Sequence, residues 1–410
     1  MDLIVDRIDE LSHLISPRRD IKKPIYNWHS FKHSYSKELV DVLIKEFKLK
    51  KNSWVIDPFC GGGTTLLACK QAGINAHGVD ILPFSVFLSA VKTTDFSSQE
   101  LVNTHNTIKN HKISKTSLDY SLPDIELYHK AFNSGIKSEL FKIKEKIENI
   151  KNTKNKDFFN LAFLGILEAV SNTKKAGGFL RLVDNKIKPD AVAGLFDNKV
   201  NQMIDDIAKA ENENKCDIVK IKVFQGDARE IKTGKKYDAI ITSPPYPNRH
   251  DYTRIYSLEM AFDFIKNNNE LKNIRYQTLR SHVEARKKYE INDFKCPDQL
   301  EEVISRIRKE KLNNNQIIPM LYGYFEDMFL VMKEMDKVIK KRGKVAIVVS
   351  NVRFAGVNVP VDEILLQIGE NIGFKPVSIW LTRLRGNSAQ QMKDYSRVPS
   401  RESVVILEKR

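Results

Sequence analysis

Seven short runs along the chain are nearly continuous in Val, Ile and other apolar residues, as strands buried on both faces must be. They are Ser53–Ile56, Ile74–Asp80, Ile221–Phe224, Tyr237–Thr242, Lys344–Ser350, Pro376–Leu381 and Ser403–Glu408. Between them the apolar period lengthens from about 2 to about 3.6 residues, the helical value. Ser36–Lys48 carries Leu39, Leu43 and Phe47 on one face, with Ser36 in the N-cap position. Pro319–Lys341 opens on a proline that suits a first helical turn. It aligns Leu321, Tyr324, Phe325, Met328, Met332 and Met335 in one stripe, which reads as core packing, and Gly343 follows as the expected terminator. Strands alternating with helices predict an α/β chain with a seven-stranded, doubly wound, Rossmann-like sheet, mostly parallel and covered on both faces.

Two stretches interrupt the rhythm. Residues 95–215 are helical in pattern and close to neutral, 19 basic against 17 acidic residues, with Phe158–Val170 the most apolar part. Residues 247–318 separate the fourth strand from the long helix. Within them Lys272–Lys288 holds six basic residues (Lys272, Arg275, Arg280, Arg286, Lys287, Lys288) against the single acid Glu284. The expected organisation is a body made of 1–94 and 216–410, with a helical insertion at 95–215 and a basic, mixed one at 247–318.

Composition narrows the function classes. A chain of 410 residues, 41% hydrophobic and 29% charged, reads as soluble and globular and needs no disulfide or metal to complete its core. Cys60, Cys69, Cys216 and Cys296 form no CxxC pair, which argues against a disulfide scaffold or zinc ribbon and fits a reducing cytoplasm. The N-terminal run is interrupted early by acids and is not a secretory signal, and no window approaches the length of a membrane span. The charge balance, 67 − 52 = +15, points towards a polyanionic partner, nucleic acid foremost.

Three strand ends carry candidate chemistry. After the first strand comes Asp57-Pro-Phe59-Cys-Gly61-Gly-Gly63-Thr64-Thr65, a glycine-rich turn running into a helix. Such a turn brings backbone close to a ligand and offers free N–H groups, but it is neither a Walker A loop nor a GxGxxG turn. The second strand ends at Asp80, where an acid can accept both hydroxyls of a ribose. After the third strand, Asp227 in Gly226-Asp-Ala-Arg229 is placed to accept from an adenine amino group. After the fourth comes Ser243-Pro244-Pro245-Tyr246. At average composition a Pro-Pro pair arises about once in such a chain, and the flanking Ser and Tyr lower that expectation to about 1–2%. The prolines stiffen the turn and leave carbonyls without adjacent N–H groups. The Pro244 carbonyl and the Ser243 hydroxyl can then accept from an exocyclic amine, and Tyr246 can stack on its ring.

This set resembles the DNA amino-methyltransferases that use S-adenosyl-L-methionine. The loop at Asp57–Thr65 is similar to their cofactor loop, and Ser243–Tyr246 to their catalytic motif. Tyr26–Glu38, with Phe31 at its centre, looks like the family's tenth motif, which touches the methionine end of the cofactor. The resemblance covers about 17–94 and 216–410. It implies cofactor contacts from Phe31, Asp57, Phe59, Gly61, Gly63, Thr64, Asp80 and Asp227, and catalysis by Ser243, Pro244, Pro245 and Tyr246. It also implies a double-stranded DNA substrate, a base flipped out of the stack, and a restriction-modification setting with a cognate endonuclease for the same site. Ser at position 243 is commoner in the cytosine-N4 branch; the adenine-N6 branch more often has Asp or Asn. Arg249, Arg280, Arg286, Lys287 and Lys288 are the candidate DNA contacts. Either 95–215 or 247–318 suits target recognition.

Other readings are weaker. C5 methylation requires a cysteine nucleophile, usually after proline, and no cysteine here follows one; deamination lacks its zinc motif. His29 and His33 have no third ligand, so no metal is expected. An RNA guanine-N2 methyltransferase shares a similar turn but would carry a separate RNA-binding domain, and a non-catalytic DNA-binding scaffold would not need intact motifs. His250, Asp251, Tyr252 and Arg254 are further candidates for the substrate cleft. Gly177–Arg181 and Arg383–Met392 look like phosphate-contacting loops. The pattern sets no oligomeric state.

Overall fold

Alternation along the strands sorts side chains into two cores. In the strand that carries Val345–Val349, Val345, Ile347 and Val349 join one apolar cluster, while Ala346 and Val348 join the other. The computed structural model describes the chain except for residues 1–2, 33, 117–121, 124, 214–218, 292, 387–394 and 396–397. Its strands are β1 (Ile4–Asp6), β2 (Trp54–Asp57), β3 (Asn75–Asp80), β4 (Thr173–Ala176), β5 (Phe179–Leu182), β6 (Ile221–Gln225), β7 (Tyr237–Thr242), β8 (Ile339–Ser350), β9 (Val352–Phe354), β10 (Val357–Val359), β11 (Phe374–Arg385) and β12 (Ser400–Lys409).

Eight of these form the central sheet, in the order β1-β11-β12-β8-β7-β2-β3-β6. All seven expected strands are in it. The eighth, β1, pairs parallel to β11 with Ile4 opposite Ile379; its apolar run is too short to register as a strand in the sequence. All pairs are parallel except those of β12, which runs antiparallel to both β11 and β8. One face is covered by helices Lys37–Glu46 and Thr64–Gln71, the other by Asp298–Arg308, Ile317–Val338 and Val361–Ile372. The six stripe residues of the long helix, Leu321 to Met335, are all fully buried.

Two expectations change. Gly343 does not end the long helix: the helix passes directly into β8, and Gly343 lies in a bulge where Tyr237 pairs with Ile339 but Ala239 with Lys344. A Cβ there would meet the Asp238 carbonyl oxygen at 3.0 Å, so close backbone approach explains the glycine. The stretch 95–215 is helical as expected but also holds the antiparallel hairpin β4–β5. The Gly177–Arg181 segment is that hairpin's turn and second strand, with Gly177 at φ +57°. Arg383–Arg385 close β11, and Asn387–Met392 fall outside the described residues.

A third core forms around helices Ser98–Asn110, Ser134–Glu148, Thr153–Val170 and Ala191–Glu213. It takes in Ile255–Leu271 from the second insertion, whereas Leu279 and Leu300–Ile317 pack in the sheet core. The basic insertion is thus shared between two cores rather than standing as one unit. Among the described residues no helix is long and apolar enough to cross a membrane.

The helical core also grips the N-terminal strap. Asp206 Oδ2, buried, accepts from the Ile25 backbone N–H at 3.1 Å and the Trp28 Nε1–H at 3.0 Å. Asp206→Ala strands both buried donors and should lower stability by about 2–4 kcal/mol, read as a fall in the urea midpoint.

Candidate functional site

Going out from β2, the chain adds β3 and β6 on one side, then returns to place β7 on the other. Strand order therefore reverses between β2 and β7, and the crevice at the carboxyl ends there is where such sheets bind ligands. An open cleft of about 900 Å³ lies at that place. It is lined by Phe31, Asp57, Phe59, Gly61, Gly62, Thr64, Asp80, Asp227, Ser243, Pro245 and Tyr252, together with Gln277–Leu279, Ser281 and His282. The structure thus brings the expected cofactor loop, both downstream acids and the start of the Ser-Pro-Pro-Tyr turn to one wall.

The loop depends on glycine at specific points. Gly63 has φ +77°, and a Cβ on it would lie 3.0 Å from the Ser89 Cα. Gly61 and Gly62 lie under the Phe31 side chain, where added Cβ atoms would fall at 2.9 and 2.8 Å. Phe31 stacks in turn on Tyr256, with centroids 4.6 Å apart and planes 12° apart. The strap of the tenth-motif resemblance therefore sits directly on the glycine loop. Ser34 Oγ lies 3.3 Å from Thr64 Oγ1, and Tyr35 Oη bonds Thr65 Oγ1. Beneath them the buried Lys92 ammonium donates to the Tyr26 and Gly62 carbonyls, at 3.1 and 3.3 Å, and burial pulls it down to about 7.

The three acids differ in availability. Asp57, 2% exposed, accepts from Phe59 N at 3.0 Å and from Thr242 Oγ1 at 2.6 Å; burial raises it to about 6. Asp80 accepts from Gly61 N and Leu82 N, both at 2.9 Å, and burial also raises it to about 6. Asp227 is committed elsewhere. Its carboxylate receives Arg229 through Nε at 2.9 Å and NH2 at 2.8 Å, Tyr289 Oη at 2.9 Å and Lys287 at 3.2 Å. Burial opposes ionisation there, but Arg229 outweighs it and holds the group at about 2. Asp227 lines the cleft, yet its carboxylate is filled from within the protein rather than left for an adenine amine.

At the Ser-Pro-Pro-Tyr turn, Ser243 Oγ donates to the Val348 carbonyl at 3.0 Å and lies 3.4 Å from Tyr246 Oη. With its proton placed on Val348, the serine oxygen can accept. Pro244 is buried, and Tyr246 faces a second cleft together with Asn248, Arg249 and His250.

The other expected side chains separate. Arg280 is buried and paired with Glu326 at 2.8 Å and Asp327 at 2.7 Å, which takes it off the surface. Lys287 serves Asp227, while Arg286 and Lys288 are exposed and Arg286 lies over the Tyr276 ring at 4.9 Å. Asp251 is a buried cap that accepts from Thr253 N at 2.9 Å and pairs with Arg275 at 2.8 Å; Arg254 pairs with Glu284. His29 is buried against Glu259 at 2.9 Å, where burial lowers it to about 4, and His33 lies outside the described residues. Sequence reasoning gave no role to Thr242, Tyr35 and Arg229, which stand inside its motifs, and missed Tyr289 and the Gln277–His282 wall. Thr242 stands next to Ser243 at a strand end and could have been found; the wall carries no motif.

A family model described as DNA methylase matches residues 13–89. The type II methyltransferase M.BsoBI of Geobacillus stearothermophilus is 30% identical over 452 residues, covering 97% of this chain and 88% of that protein. The type II methyltransferase M.AvaI of Nostoc sp. is 31% identical over 441 residues, covering 97% and 89%. A doubly wound sheet with this loop and turn at its switch point defines a methyltransferase that uses S-adenosyl-L-methionine. Similarity along nearly the whole length then makes the chain a member of the type II methyltransferases, amino-methylating enzymes of restriction-modification type that act on DNA.

Gly63→Ala forces an L-residue into the left-handed region against Ser89 and should cost about 1–2 kcal/mol, measured as a lowered urea midpoint.

Proposed function

We propose that the protein methylates the exocyclic N4 of cytosine at a specific site in double-stranded DNA. The catalytic body is 1–94 with 216–410, and the stretches 95–215 and 247–318 are the candidates for base recognition. The observation that carries the proposal is Ser243, whose hydroxyl proton goes to Val348 and whose oxygen faces the cleft as an acceptor. Serine at this position of the turn is the form that the resemblance associates with the cytosine branch.

The cleft suits the cofactor. Phe31, Phe59 and Tyr252 give it apolar walls, and the bare backbone of Gly61 and Gly62 lets Phe31 lie directly on the loop, where a Cβ would collide with its side chain. Asp80 would take the ribose hydroxyls at the strand end. Phe31, Gly61, Gly63 and Thr64 would hold the methionine side, and Asp57 would set the loop's electrostatics. When bound, S-adenosyl-L-methionine supplies an electrophilic methyl group on a sulfonium centre.

The turn then works on the other partner. A base must leave the stack to bring its amine here, at a cost of a few kcal/mol. Tyr246 would stack on the extruded ring. Ser243 Oγ and the Pro244 carbonyl would each accept from the amine and localise its lone pair away from the ring. No side chain need act as a strong base, since the amine turns acidic only after alkylation. Rate comes from orientation and fixed dipoles.

Ser243→Ala and Tyr246→Ala should each cut methyl transfer by at least about 10²-fold while cofactor affinity by calorimetry stays put. Full activity in either would overturn the role given to the turn. Digesting DNA methylated by the wild type and identifying the nucleoside by mass spectrometry tests the base: N4-methylcytosine is expected, and N6-methyladenine would reassign it.

The acids also predict a pH dependence. Asp57 and Asp80 are both raised to about 6 by burial, so they lose their protons as pH rises through that value. The cofactor carries net positive charge and favours the ionised forms. Its affinity should climb between pH 5 and 7, by at most about tenfold per pH unit for each carboxylate, and level off above. A flat calorimetric profile would remove these acids from the site.

A further inference from the structure

We infer that duplex DNA docks on the cleft that opens on the far side of Tyr246, with its phosphates held by Arg249, Lys311, Arg353 and Arg385 rather than by the basic run at 272–288. The inference rests on the DNA-methyltransferase reading and locates the substrate in it.

The cleft measures about 1520 Å³ and is lined by those four cations and by Tyr246, with no Asp or Glu among the described residues. The cations come from four separate places: the chain after the catalytic turn, the link before helix Ile317–Val338, strand β9, and the end of β11. An adjoining cleft, which shares Tyr246 and Arg385 with the first, adds Arg18 and Arg383 and, among the described residues, one acid, Glu402. Glu402 serves two guanidiniums at once, Arg383 Nε at 2.6 Å and Arg385 NH1 at 3.3 Å. Among the described residues, six cations line the two clefts that meet at Tyr246, together with a single carboxylate. Such an excess makes a strong local positive potential, which is what phosphate capture needs.

The basic run at 272–288 is dense in sequence but largely spent in space. Arg275 is paired with Asp251 and Glu284, Arg280 with Glu326 and Asp327, and Lys287 with Asp227. Three of its six cations are therefore already neutralised, and the Gln277–His282 portion forms a wall of the cofactor cleft.

The outer cleft is also the one that communicates with the reacting atoms. Ser243 faces the cofactor cleft and Tyr246 the outer one, and their hydroxyls lie 3.4 Å apart. A base extruded from a duplex in the outer cleft meets Tyr246 first and Ser243 next. The floor is firm: Asn351 Oδ1 accepts from Asp362 N at 3.2 Å, and the Asp362 carboxylate holds Arg401 at 2.8 Å and Ser403 Oγ at 2.7 Å. Arg353 Nε is fixed on the Gly356 carbonyl at 2.8 Å.

Fluorescence anisotropy with unmodified duplex across a NaCl series tests the placement. The variants are Lys311→Ala with Arg385→Ala, both exposed in the free protein, and separately Arg353→Gln. Lys232→Ala, on an exposed lysine before β7, controls for lost charge. The slope of log affinity against log salt should fall by about 0.9 for each phosphate contact removed, in the double variant and in Arg353→Gln. Lys232→Ala should keep the wild-type slope, and calorimetric affinity for S-adenosyl-L-methionine should stay unchanged in all. Wild-type slopes in both cleft variants, or a fall seen instead in Arg286→Ala with Lys288→Ala, would overturn the inference. Wild-type protein that neither binds nor methylates DNA would overturn the underlying function instead, a result visible before any variant is made.

Discussion

One buried carboxylate joins the parts of the site. Asp57 ends β2, and Thr242 ends the neighbouring strand β7; the threonine hydroxyl reaches across to it at 2.6 Å. A third donor, the Tyr35 hydroxyl, approaches from the strap at 3.4 Å. Residues 35, 57 and 242 are remote in sequence, yet they meet because the strand order reverses between β2 and β7. The next residue after Thr242 is Ser243, and the next turn after Asp57 is the glycine loop. The hydrogen bond therefore sets the distance between the group that would hold the cofactor and the group that would hold the amine. Burial raises Asp57 to about 6, and the donors around it keep that rise within bounds.

A second network fixes the opposite wall. Arg229, its side chain fully buried, bridges Asp227 at 2.8 Å and Asp327 at 3.0 Å, and Arg280 takes the other oxygen of Asp327 at 2.7 Å. This ties the loop after β6, helix Ile317–Val338 and the 277–289 segment into one unit. Removing one member of such a set leaves an unpaired buried charge, at a cost of about 3–5 kcal/mol. It also explains why Asp227, which stands where an adenine-binding acid is expected, is not free for that purpose: its charge balances a structural arginine.

The fold was legible because strand burial and period are local properties. The seven runs, the Met-rich stripe and the strand-turn-helix at Asp57–Thr65 can each be read within a dozen residues. What escaped depends on tertiary context. Gly343 looked like a helix terminator because the pattern gives no sign that a strand begins without a loop. The three-residue β1 and the β4–β5 hairpin are stabilised by neighbours, not by propensity. At the site, the glycine loop and the Ser-Pro-Pro-Tyr turn carry rare residue combinations, whereas Arg229 and Tyr289 are ordinary residues whose role appears only once Asp227 is beside them. Charge misled for the same reason: Arg280 adds to a basic run in sequence but is neutralised by acids from a helix almost fifty positions away.

The helical insertion has a structural consequence that the motifs alone do not suggest. Segment 25–35 has no sheet partner among its described residues, and it is held from outside. Asp206 takes Ile25 N and the Trp28 indole, Gln202 bonds the Asn27 side chain at 2.9 Å, and Lys199 reaches the Asn27 carbonyl at 3.2 Å. Glu259 Oε1 takes both His29 and Lys175 of the hairpin; burial opposes ionisation, but Lys175 and His29 outweigh it and hold the carboxyl at about 2. These contacts press Phe31 onto Gly61 and Gly62 and set Tyr35 on Thr65. A flexible strap would lose conformational entropy each time it closed over a ligand. Here the insertion has already bound it, so the loop beneath is shaped before any cofactor arrives. Through these contacts the helices of the insertion act as the outer brace of the glycine loop.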